Sequence, residues 1–342
     1  MMPTDLPPVD LFVIGGGPAG LATAIAARRA GLAVTLADGN QPPVDKACGE
    51  GLLPDSVAAL AALGIRVTGY PLRGIRFFAG DLSAQADFPH RPGCGIRRLE
   101  LHKLLREQAE RSGVNLLWGH PVSDLESLSA KWIIGADGAS SGVRKWAGLE
   151  ARRLTPRRFA HRLHYAVAPW TEHVEVHWNR GCQMYVTPVG EQEVGVALIT
   201  AEREQDFATA LQMFPRLARR LTGASVSSRI RGAVTATTFM PRVTADRVAL
   251  VGDASGTVDA ITGEGLGLAF RQSVALAESL GTGSTAAYEK AHRAIGFRPR
   301  TMSRALLLLD RHPQLLQAAV RLFAARPAAF RRLLALHVGA CI

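Results

Sequence analysis

Residues 9–38, VDLFVIGGGPAGLATAIAARRAGLAVTLAD, restrict the possible fold more than any other part of the 342-residue chain. They begin with an apolar run typical of a strand buried in a parallel sheet. A glycine-rich turn follows, then a helical pattern over 19–30 that Gly31 ends, then a second apolar strand over 33–37. This order of strand, tight turn, helix and strand predicts an α/β fold with a parallel sheet.

The glycines of that turn fit a phosphate-binding loop. Gly15, Gly17 and Gly20 have the G-x-G-x-x-G spacing. The first glycine allows the tight turn, the second lets the backbone approach a pyrophosphate, and the third lets helix and strand pack closely. A pyrophosphate would lie at the helix N-terminus, where free N–H groups and the helix dipole favour an anion. Asp38 ends the second strand at the distance of a ribose-binding acid, so the sequence predicts a dinucleotide site.

Two later stretches narrow the choice of dinucleotide. KWIIGADGASSGVRKW (131–146) and RVALVGDASGTVDAITGEGLGLAF (247–270) each begin with a strand pattern that runs into a glycine-rich loop. Together with GGGPAG, they resemble the FAD-binding framework of the flavoprotein monooxygenases related to p-hydroxybenzoate hydroxylase. KACGEGLLP (46–54) resembles more closely the geranylgeranyl-reductase-like branch of that group. The resemblance extends over about residues 9–280.

The resemblance implies an α/β architecture with a Rossmann-like FAD-binding domain of the glutathione-reductase type. It also implies an inserted substrate domain built on a mainly antiparallel β-sheet, followed by a C-terminal helical segment. The expected boundaries are 1–70, 96–150 and 241–295 for the FAD-binding domain, 71–95 and 151–240 for the substrate domain, and 296–342 for the C-terminal helices.

The substrate sheet is supported by residue patterns as well as by the resemblance. Apolar and polar residues alternate with a period of two, as in half-buried strands, over 161–170, 173–178, 184–189 and 193–199. One helix is predicted after them, over 206–221. Few carboxylates converge on the histidines of these strands, so no metal site is expected there, although one histidine could act as a substrate-facing acid or base. These histidines are His161, His164, His173 and His177.

Carried onto this chain by motif, the resemblance implies non-covalently bound FAD. No histidine or cysteine is obviously placed to tether the cofactor. The residues expected to bind it are Gly15, Gly17, Pro18, Ala19, Gly20, Asp38, Lys46, Ala47, Cys48, Gly49, Arg98, Asp137, Asp253, Gly263, Gly265 and Leu266.

Six of these positions receive specific expectations. Asp38 is expected at the adenosine ribose, and Asp253 as a buried acceptor for the ribityl and phosphate region. The 263–265 turn is expected under the flavin pyrimidine, where a helix N-terminus would stabilise negative charge on the reduced ring. Arg98 is expected beside the FAD but half solvated. Asp137 either lies at the cofactor or caps the turn that follows it.

Cys48 is expected at the flavin ring. The ten residues after Asp38 can span at most ~33 Å, enough to follow an extended dinucleotide, and Gly49 lets the backbone approach a flat ring. No second cysteine follows closely, which argues against a redox disulfide, and a metal role lacks partner ligands. Two roles remain open: a small residue packed against the flavin, or a thiol that touches the substrate or tunes the ring.

Composition argues against several other classes of function. The net charge is +11, from 40 Lys and Arg against 29 Asp and Glu, but no nucleic-acid-binding motif accompanies it. The four cysteines form no CxxC pair, which favours reduced thiols and a cytoplasmic setting over structural zinc or disulfides. The arginine-rich, helical segment 301–342 either packs on the domain or on a partner subunit, or it offers a surface to a membrane or a lipophilic substrate.

Our first expectation for the function is an FAD-dependent monooxygenase that hydroxylates a hydrophobic aromatic or polyketide-like compound with O2. NADPH or NADH is expected to reduce it by transient docking, since the sequence has no second glycine-rich strand–helix turn that is followed by an acid at the ribose-binding distance. The first alternative is a geranylgeranyl-reductase-like enzyme that reduces C=C bonds of a prenyl or other lipophilic substrate. The second is a non-catalytic flavin-binding protein. QMYVTPVG (183–190) lacks the tryptophans of the WxWxIP stretch of flavin halogenases, which counts against halogenation.

Overall fold

The structure is a computed structural model that describes residues 8–339. Its helices within that range are α1 (Pro18–Arg29), α2 (Pro54–Ala62), α3 (Arg98–Arg111), α4 (Gly142–Trp146), α5 (Phe207–Gln212), α6 (Pro215–Leu221), α7 (Gly265–Gly281), α8 (Ala286–Arg311), α9 (Pro313–Ala325) and α10 (Pro327–His337). Its strands are β1 (Val9–Ile14), β2 (Val34–Asp38), β3 (Gly51–Leu52), β4 (Tyr70–Leu72), β5 (Gly74–Ala79), β6 (Leu82–Asp87), β7 (Gly93–Gly95), β8 (Asn115–Trp118), β9 (Ala130–Gly135), β10 (Arg152–Arg153), β11 (Arg158–Ala166), β12 (His173–Asn179), β13 (Cys182–Gly190), β14 (Glu193–Thr200), β15 (Ser225–Val226), β16 (Arg231–Thr235), β17 (Thr238–Phe239), β18 (Thr244–Ala245) and β19 (Val248–Leu250).

A six-stranded sheet of order β18-β19-β9-β1-β2-β8 carries the predicted strand–helix–strand unit. β1 lies in its centre and pairs in parallel with both β2 and β9. The buried face of α1, which includes Leu21 and Ile25, joins the core beneath this sheet. At Gly20 the helix lies so close to the turn that an added Cβ would be 1.8 Å from the carbonyl oxygen of Gly15. The predicted Rossmann-like unit is therefore confirmed.

The second large sheet has eight strands, in the order β15-β11-β14-β13-β12-β5-β6, with β16 also paired to β11. All of its pairs are antiparallel except that of β12 with β5. The mainly antiparallel sheet is thus confirmed. The single helix predicted over 206–221 is wrong, because the structure has α5 and α6 there, with Pro215 opening α6. Proline lacks the N–H needed to continue a helix but fits its first turn.

A small three-stranded sheet, of order β3-β7-β4, links the two larger units. Segment 71–95 is consequently shared between two sheets, because β5 and β6 belong to the eight-stranded sheet while β7 belongs to the small one. The division of the chain into domains at the stated boundaries stays a prediction.

The C-terminal helices pack on both halves of the molecule. α8 contacts α7, and α9 and α10 contact β6 of the eight-stranded sheet. Their inner faces, with Val320, Phe330 and Leu334, share a buried cluster with Trp178 of that sheet. Among the helices of residues 8–339, none is long and apolar enough to span a bilayer.

Candidate active site

A cavity of about 1320 Å³ is walled by the β1–α1 turn, the 44–53 segment, the eight-stranded sheet, and helices α8 and α10. Fifteen of the sixteen predicted cofactor residues line it. The exception is Gly20, which packs α1 against the turn behind the wall. The lining residues are Gly15, Gly17, Pro18, Ala19, Asp38, Lys46, Ala47, Cys48, Gly49, Arg98, Asp137, Asp253, Gly263, Gly265 and Leu266.

Two helix N-termini meet this cavity. α1 begins at Pro18 and α7 at Gly265, and neither has a side-chain hydrogen bond at its N-cap. Cβ atoms added at Gly17, Gly263 or Gly265 would meet nothing within 4 Å, so the space in front of each backbone is open cavity. Free N–H groups and the positive ends of helix dipoles therefore face a cradle that a pyrophosphate and a flat ring would fill. The geometry fits FAD.

Two of the predicted acids hold backbone turns at the cavity wall. The Asp38 carboxylate accepts hydrogen bonds from the N–H of Gly16 (2.6 Å) and of Asn40 (2.8 Å), which fixes the glycine turn against the end of β2. The Asp137 carboxylate accepts from Gly142 N–H (2.7 Å) and from the Ser141 hydroxyl (2.6 Å). Of the two readings left open for Asp137, the structure has the cap on the following turn, with the residue still in the wall.

The expected exposures of Arg98 and Asp253 are wrong, because the structure reverses them. Arg98 begins α3 on its inner side, where only 8% of the residue is exposed, and its Nε has no hydrogen-bond partner among the described residues. The Asp253 side chain is 42% exposed at the cavity rim and pairs with Lys46 Nζ at 3.2 Å. A buried guanidinium that lines the cavity with an unpaired donor is a natural partner for an acceptor on a bound cofactor.

We therefore predict that Arg98→Met weakens FAD binding more than Asp253→Asn does. The Arg98 variant loses a buried charged donor, which is worth about 1.5–3 kcal/mol, or roughly 10- to 100-fold in Kd. The Asp253 variant loses a solvent-exposed pair, for which we expect less than about fivefold. Titration of the apoprotein with FAD measures both values. Equal losses in the two variants would contradict this placement of Arg98.

Cys48 lies half-buried in the cavity wall, and its Sγ accepts a hydrogen bond from Glu50 N–H at 3.4 Å. Burial raises the pKa of the thiol above its ordinary value, although the nearby Arg98 acts in the opposite direction. No disulfide forms among the described cysteines. The thiol is accordingly neutral at neutral pH, and both roles left open for it, packing and substrate contact, are compatible with a neutral group.

Glu50, between Cys48 and the strand β3, is the functional residue that sequence reasoning missed. It is 2% exposed, and its backbone has φ +58°, a conformation that is uncommon for a residue with a side chain. Its carboxylate accepts from Arg98 N–H (2.8 Å) and contacts His164 Nε2, while Arg162 Nε lies 3.9 Å away. The GEG sequence signals an unusual turn, but nothing local identifies the partners.

Arg162 extends this contact into a network that joins the two halves of the molecule. Its guanidinium donates to Asp45 (2.7 Å) and lies 3.0 Å from His164 Nδ1, and Arg231 also donates to Asp45 (3.0 Å). Asp45 and Glu50 bracket Cys48 in sequence, whereas Arg162 and His164 belong to β11. The network therefore fixes the Cys48 segment to the substrate sheet.

Three of the four histidines considered as acids, bases or ligands are paired with carboxylates. His164 contacts Glu50, His173 contacts Asp87, and His177 contacts Glu175. The fourth, His161, lines the cavity. Within residues 8–339 no group of three or more His, Cys, Asp or Glu side chains could hold a metal ion.

The side of the cavity formed by the eight-stranded sheet and the C-terminal helices is apolar. The sheet and the C-terminal helices supply its wall, and the Tyr185 hydroxyl is engaged as a donor to the carbonyl of Ile261 (2.9 Å). The apolar lining here includes Phe77, Val176, Trp178, Leu306, Phe330 and Leu333. A lipophilic group would lose little hydration free energy on entering such a compartment and would gain apolar burial.

A buried charge cluster closes the base of α7. Glu264, the residue before that helix, is 2% exposed and lies 3.7 Å from Arg271 and 3.4 Å from His337 of α10. Burial raises the pKa of Glu264 to about 8 and lowers the pKa of His337 to about 4. Both groups are therefore mostly neutral near pH 7.

This cluster predicts a pH-dependent stability. An acid whose pKa is raised by folding favours the folded state at low pH, and that stability is lost as pH rises from about 4.3 to the folded value near 8. His337 acts in the opposite direction, because its lowered pKa makes the folded state more stable as pH rises from about 4 to about 6.5. Above about pH 6.5 its contribution to stability no longer changes with pH. We predict that the Tm of Glu264→Gln, relative to wild type, increases by several degrees between pH 6.5 and pH 8.5. Glu100→Gln, at an exposed glutamate of α3, serves as the control, and parallel Tm profiles for wild type and Glu264→Gln would contradict the assignment.

A parallel sheet with a glycine turn, two helix N-termini at one cavity and a covering antiparallel sheet define an FAD-dependent oxidoreductase of the p-hydroxybenzoate-hydroxylase-like fold. The chain belongs to the FAD binding domain family, whose family model matches residues 8–127 and 122–295. It is 30% identical to the menaquinone reductase of Mycolicibacterium smegmatis, over 90% of this chain and 86% of that protein.

Other relatives fall into two groups. The digeranylgeranylglycerophospholipid reductase of Methanothrix thermoacetophila is 26% identical over 83% of each chain. The rifampicin monooxygenase of Rhodococcus hoagii is 29% identical, but over 40% of this chain and 33% of that protein. The solved structures give the same fold: a flavin-dependent brominase superposes with a TM-score of 0.82 at 16% identity, covering 97% of this chain and 95% of that one. A geranylgeranyl bacteriochlorophyll reductase-like protein from Thermoplasma acidophilum superposes with a TM-score of 0.73 at 19% identity, covering 91% of each chain.

Proposed function

We propose that this FAD-dependent oxidoreductase reduces a carbon–carbon double bond in a prenyl-bearing, lipophilic substrate. The observation that carries the proposal is the apolar compartment of the cavity, walled by the eight-stranded sheet and by α8 and α10. Two relatives that cover most of the chain support it, because both are named as reductases of lipids that bear prenyl chains.

Different parts of the cavity wall would bind the FAD, stabilise charge on it and contact the substrate. The turns at Gly17 and Gly265 and the Arg98 guanidinium would hold FAD, which supplies the electron pair when bound. The N-terminus of α7 would stabilise negative charge at the pyrimidine end. Cys48, held by the Glu50 network, would contact the substrate beside the ring, and the apolar wall would exclude water from the double bond.

Hydroxylation, our first expectation from the sequence, is the second candidate. It is favoured by the rifampicin monooxygenase relative, although that similarity covers 40% of this chain. NADPH or NADH remains the proposed electron donor in both cases. A non-catalytic flavin-binding role is disfavoured, because the relatives that cover most of the chain are named as enzymes.

Product analysis under anaerobic conditions separates these functions. The holoenzyme is reduced with dithionite and mixed without O2 with a menaquinone that carries a short prenyl chain. The extract is then re-oxidised in air, which converts any quinol back to quinone. The molecular mass of the recovered quinone is measured by mass spectrometry. We expect a product that retains two added hydrogens. A product that gains oxygen, and forms only in air, would replace our proposal with hydroxylation.

The outer faces of the C-terminal helices suit a contact with an anionic membrane, which we propose as the route to a lipophilic substrate. Phe297 and Leu308 are 67% and 52% exposed on the outer face of α8, and Leu336 is 62% exposed on α10. Two half-buried acids of α8, Glu289 and Asp310, accompany the exposed arginines of this surface, and Glu289 pairs with Arg293 at 3.8 Å. These arginines are Arg293, Arg298, Arg304, Arg311, Arg321, Arg326, Arg331 and Arg332.

Vesicle sedimentation tests this contact. We predict binding to phosphatidylglycerol vesicles but not to phosphatidylcholine vesicles, since each arginine near an anionic surface contributes about 1 kcal/mol. Arg304→Gln/Arg311→Gln should weaken binding about 10- to 30-fold, and Arg66→Gln/Arg219→Gln, which removes the same charge elsewhere, should not. Equal binding by both double variants would contradict the contact, and a stable dimer buried on this face would assign it to a second copy.

A further inference from the structure

A groove of about 440 Å³ opens beside β11 and β16 at the mouth of the cavity. It is lined by Phe159, by residues 232–234 of the edge strand, and by the side chains of Arg157, His161 and Arg203. Arg157, His161 and Val234 line the main cavity as well, so the groove and the cavity share this part of their wall. Arg153, four residues before Arg157, lines the cavity as well.

These four basic side chains have no counter-ion. Neither a hydrogen bond nor an ion pair joins Arg153, Arg157, His161 or Arg203 to another side chain within residues 8–339. The carboxylates of Glu202 and Glu204 flank Arg203 in the sequence without pairing to it.

Their neighbours on β11 behave differently. Arg158 is buried and pairs with Asp259 at 3.1 Å, and Arg162 is buried and pairs with Asp45 at 2.7 Å. The strand therefore satisfies its inward arginines with carboxylates and leaves its groove side uncompensated. Like charges in one partly enclosed groove repel each other, and an anion would offset that cost. Guanidinium groups match phosphate in particular, because their planar N–H pairs bond two oxygens at once.

We propose that Arg153, Arg157, His161 and Arg203 bind the phosphate groups of a ligand whose other end reaches into the cavity. Phe159 and Val234 are the apolar side chains that line the groove. Trp146, which is 44% exposed, lines the cavity. The ligand is thus a phosphate-bearing organic molecule rather than a bare ion. A nicotinamide dinucleotide and a phosphorylated lipid headgroup share this chemistry. The inference rests on the proposed function in one respect: it assumes that the bound FAD receives electrons from a donor and passes them to a substrate.

Inorganic pyrophosphate is the first probe of the site. The FAD-loaded enzyme is titrated with it by calorimetry, alongside Arg157→Gln/Arg203→Gln and the control Arg66→Gln/Arg219→Gln, which makes the same change in net charge on exposed arginines elsewhere. We expect the pyrophosphate Kd to rise at least tenfold in the groove variant and to stay unchanged in the control. FAD content should be the same in all three proteins. No pyrophosphate binding, or equal Kd values in the three proteins, would overturn the proposal.

Two further arms identify the source of the phosphate. If the ligand is a dinucleotide, NADPH should reduce the flavin of the groove variant with an apparent Kd at least tenfold higher, whereas dithionite should reduce both proteins alike. If it is a lipid headgroup, the groove variant should instead lose binding of geranylgeranyl diphosphate while NADPH reduction is unchanged. Loss of neither would overturn the proposal. Because dithionite-driven product formation from menaquinone needs no phosphate ligand, it reports separately on the proposed function.

Discussion

A Gly17→Val variant is expected to fold normally and to lose its FAD. The backbone at Gly17 has φ −71° and ψ 177°, which any residue can adopt. An added Cβ meets no protein atom within 4 Å, because it projects into the cavity in front of α1. That space is where we expect the pyrophosphate, so the valine side chain would replace the phosphate contacts with a steric clash. We expect the FAD Kd to rise at least about 100-fold, which corresponds to about 2.8 kcal/mol.

Gly20→Ala provides the contrast. Its Cβ would lie 1.8 Å from the Gly15 carbonyl oxygen and 3.3 Å from the Ala136 side chain, so the helix must move. We expect this variant to lose about 1–3 kcal/mol of unfolding free energy even without FAD. For Gly17→Val, the Tm of the apoprotein should equal that of wild-type apoprotein. Full FAD retention by Gly17→Val would mean that the pyrophosphate does not lie at this turn.

The second large effect is expected for Glu50→Ala, which should lower the free energy of unfolding by about 3–5 kcal/mol. Removing the Glu50 carboxylate takes the acceptor away from the buried Arg98 N–H and the carboxylate partner away from His164 Nε2, whereas Arg162 keeps Asp45. Arg162 and His164 are 2% and 0% exposed, so water cannot replace the lost carboxylate. The Cys48 segment would keep the Asp45–Arg162 pair but lose its contact with His164 of β11, so we expect FAD binding to weaken together with stability.

Urea unfolding measures this effect at a fixed free FAD concentration, because a ligand that binds the folded state changes apparent stability. Glu172→Ala is the control. Its carboxylate pairs with Arg73 at 3.5 Å on the surface, where the two side chains are 47% and 60% exposed. Such pairs contribute at most about 1 kcal/mol. A loss for Glu50→Ala no larger than that of the control would show that the network does not hold the segment.

Local patterns are sufficient to predict the cofactor half of the molecule. The turn around Gly15, Gly17 and Gly20 needs only neighbouring residues, and β1 lies where the apolar run predicts a strand. The later motif around Gly265 likewise begins a helix, because a glycine-rich loop followed by an apolar pattern of helical period favours few other structures. A dinucleotide cavity follows from such short-range signals.

The rest depends on distant contacts that no local pattern contains. Glu50 and His164 are separated by 114 residues, and the register of β11 with its neighbouring strands places them together. Arg98 is buried because the packing of α3 turns it toward the interior, whereas the sequence alone led us to expect a half-solvated side chain. The break between α5 and α6 is different, since Pro215 signals it in the sequence.

The oxidative half-reaction tests the central claim most directly, namely that electrons pass from FAD to a prenyl-bearing lipid within this cavity. The dithionite-reduced holoenzyme is mixed in a stopped-flow instrument with menaquinone in the absence of O2, and in parallel with O2 in the absence of lipid. We predict that menaquinone reoxidises the flavin at least tenfold faster than O2 does, and that the recovered lipid retains two added hydrogens after air oxidation. Reoxidation by O2 alone, with lipid that is unchanged or carries added oxygen, would contradict it.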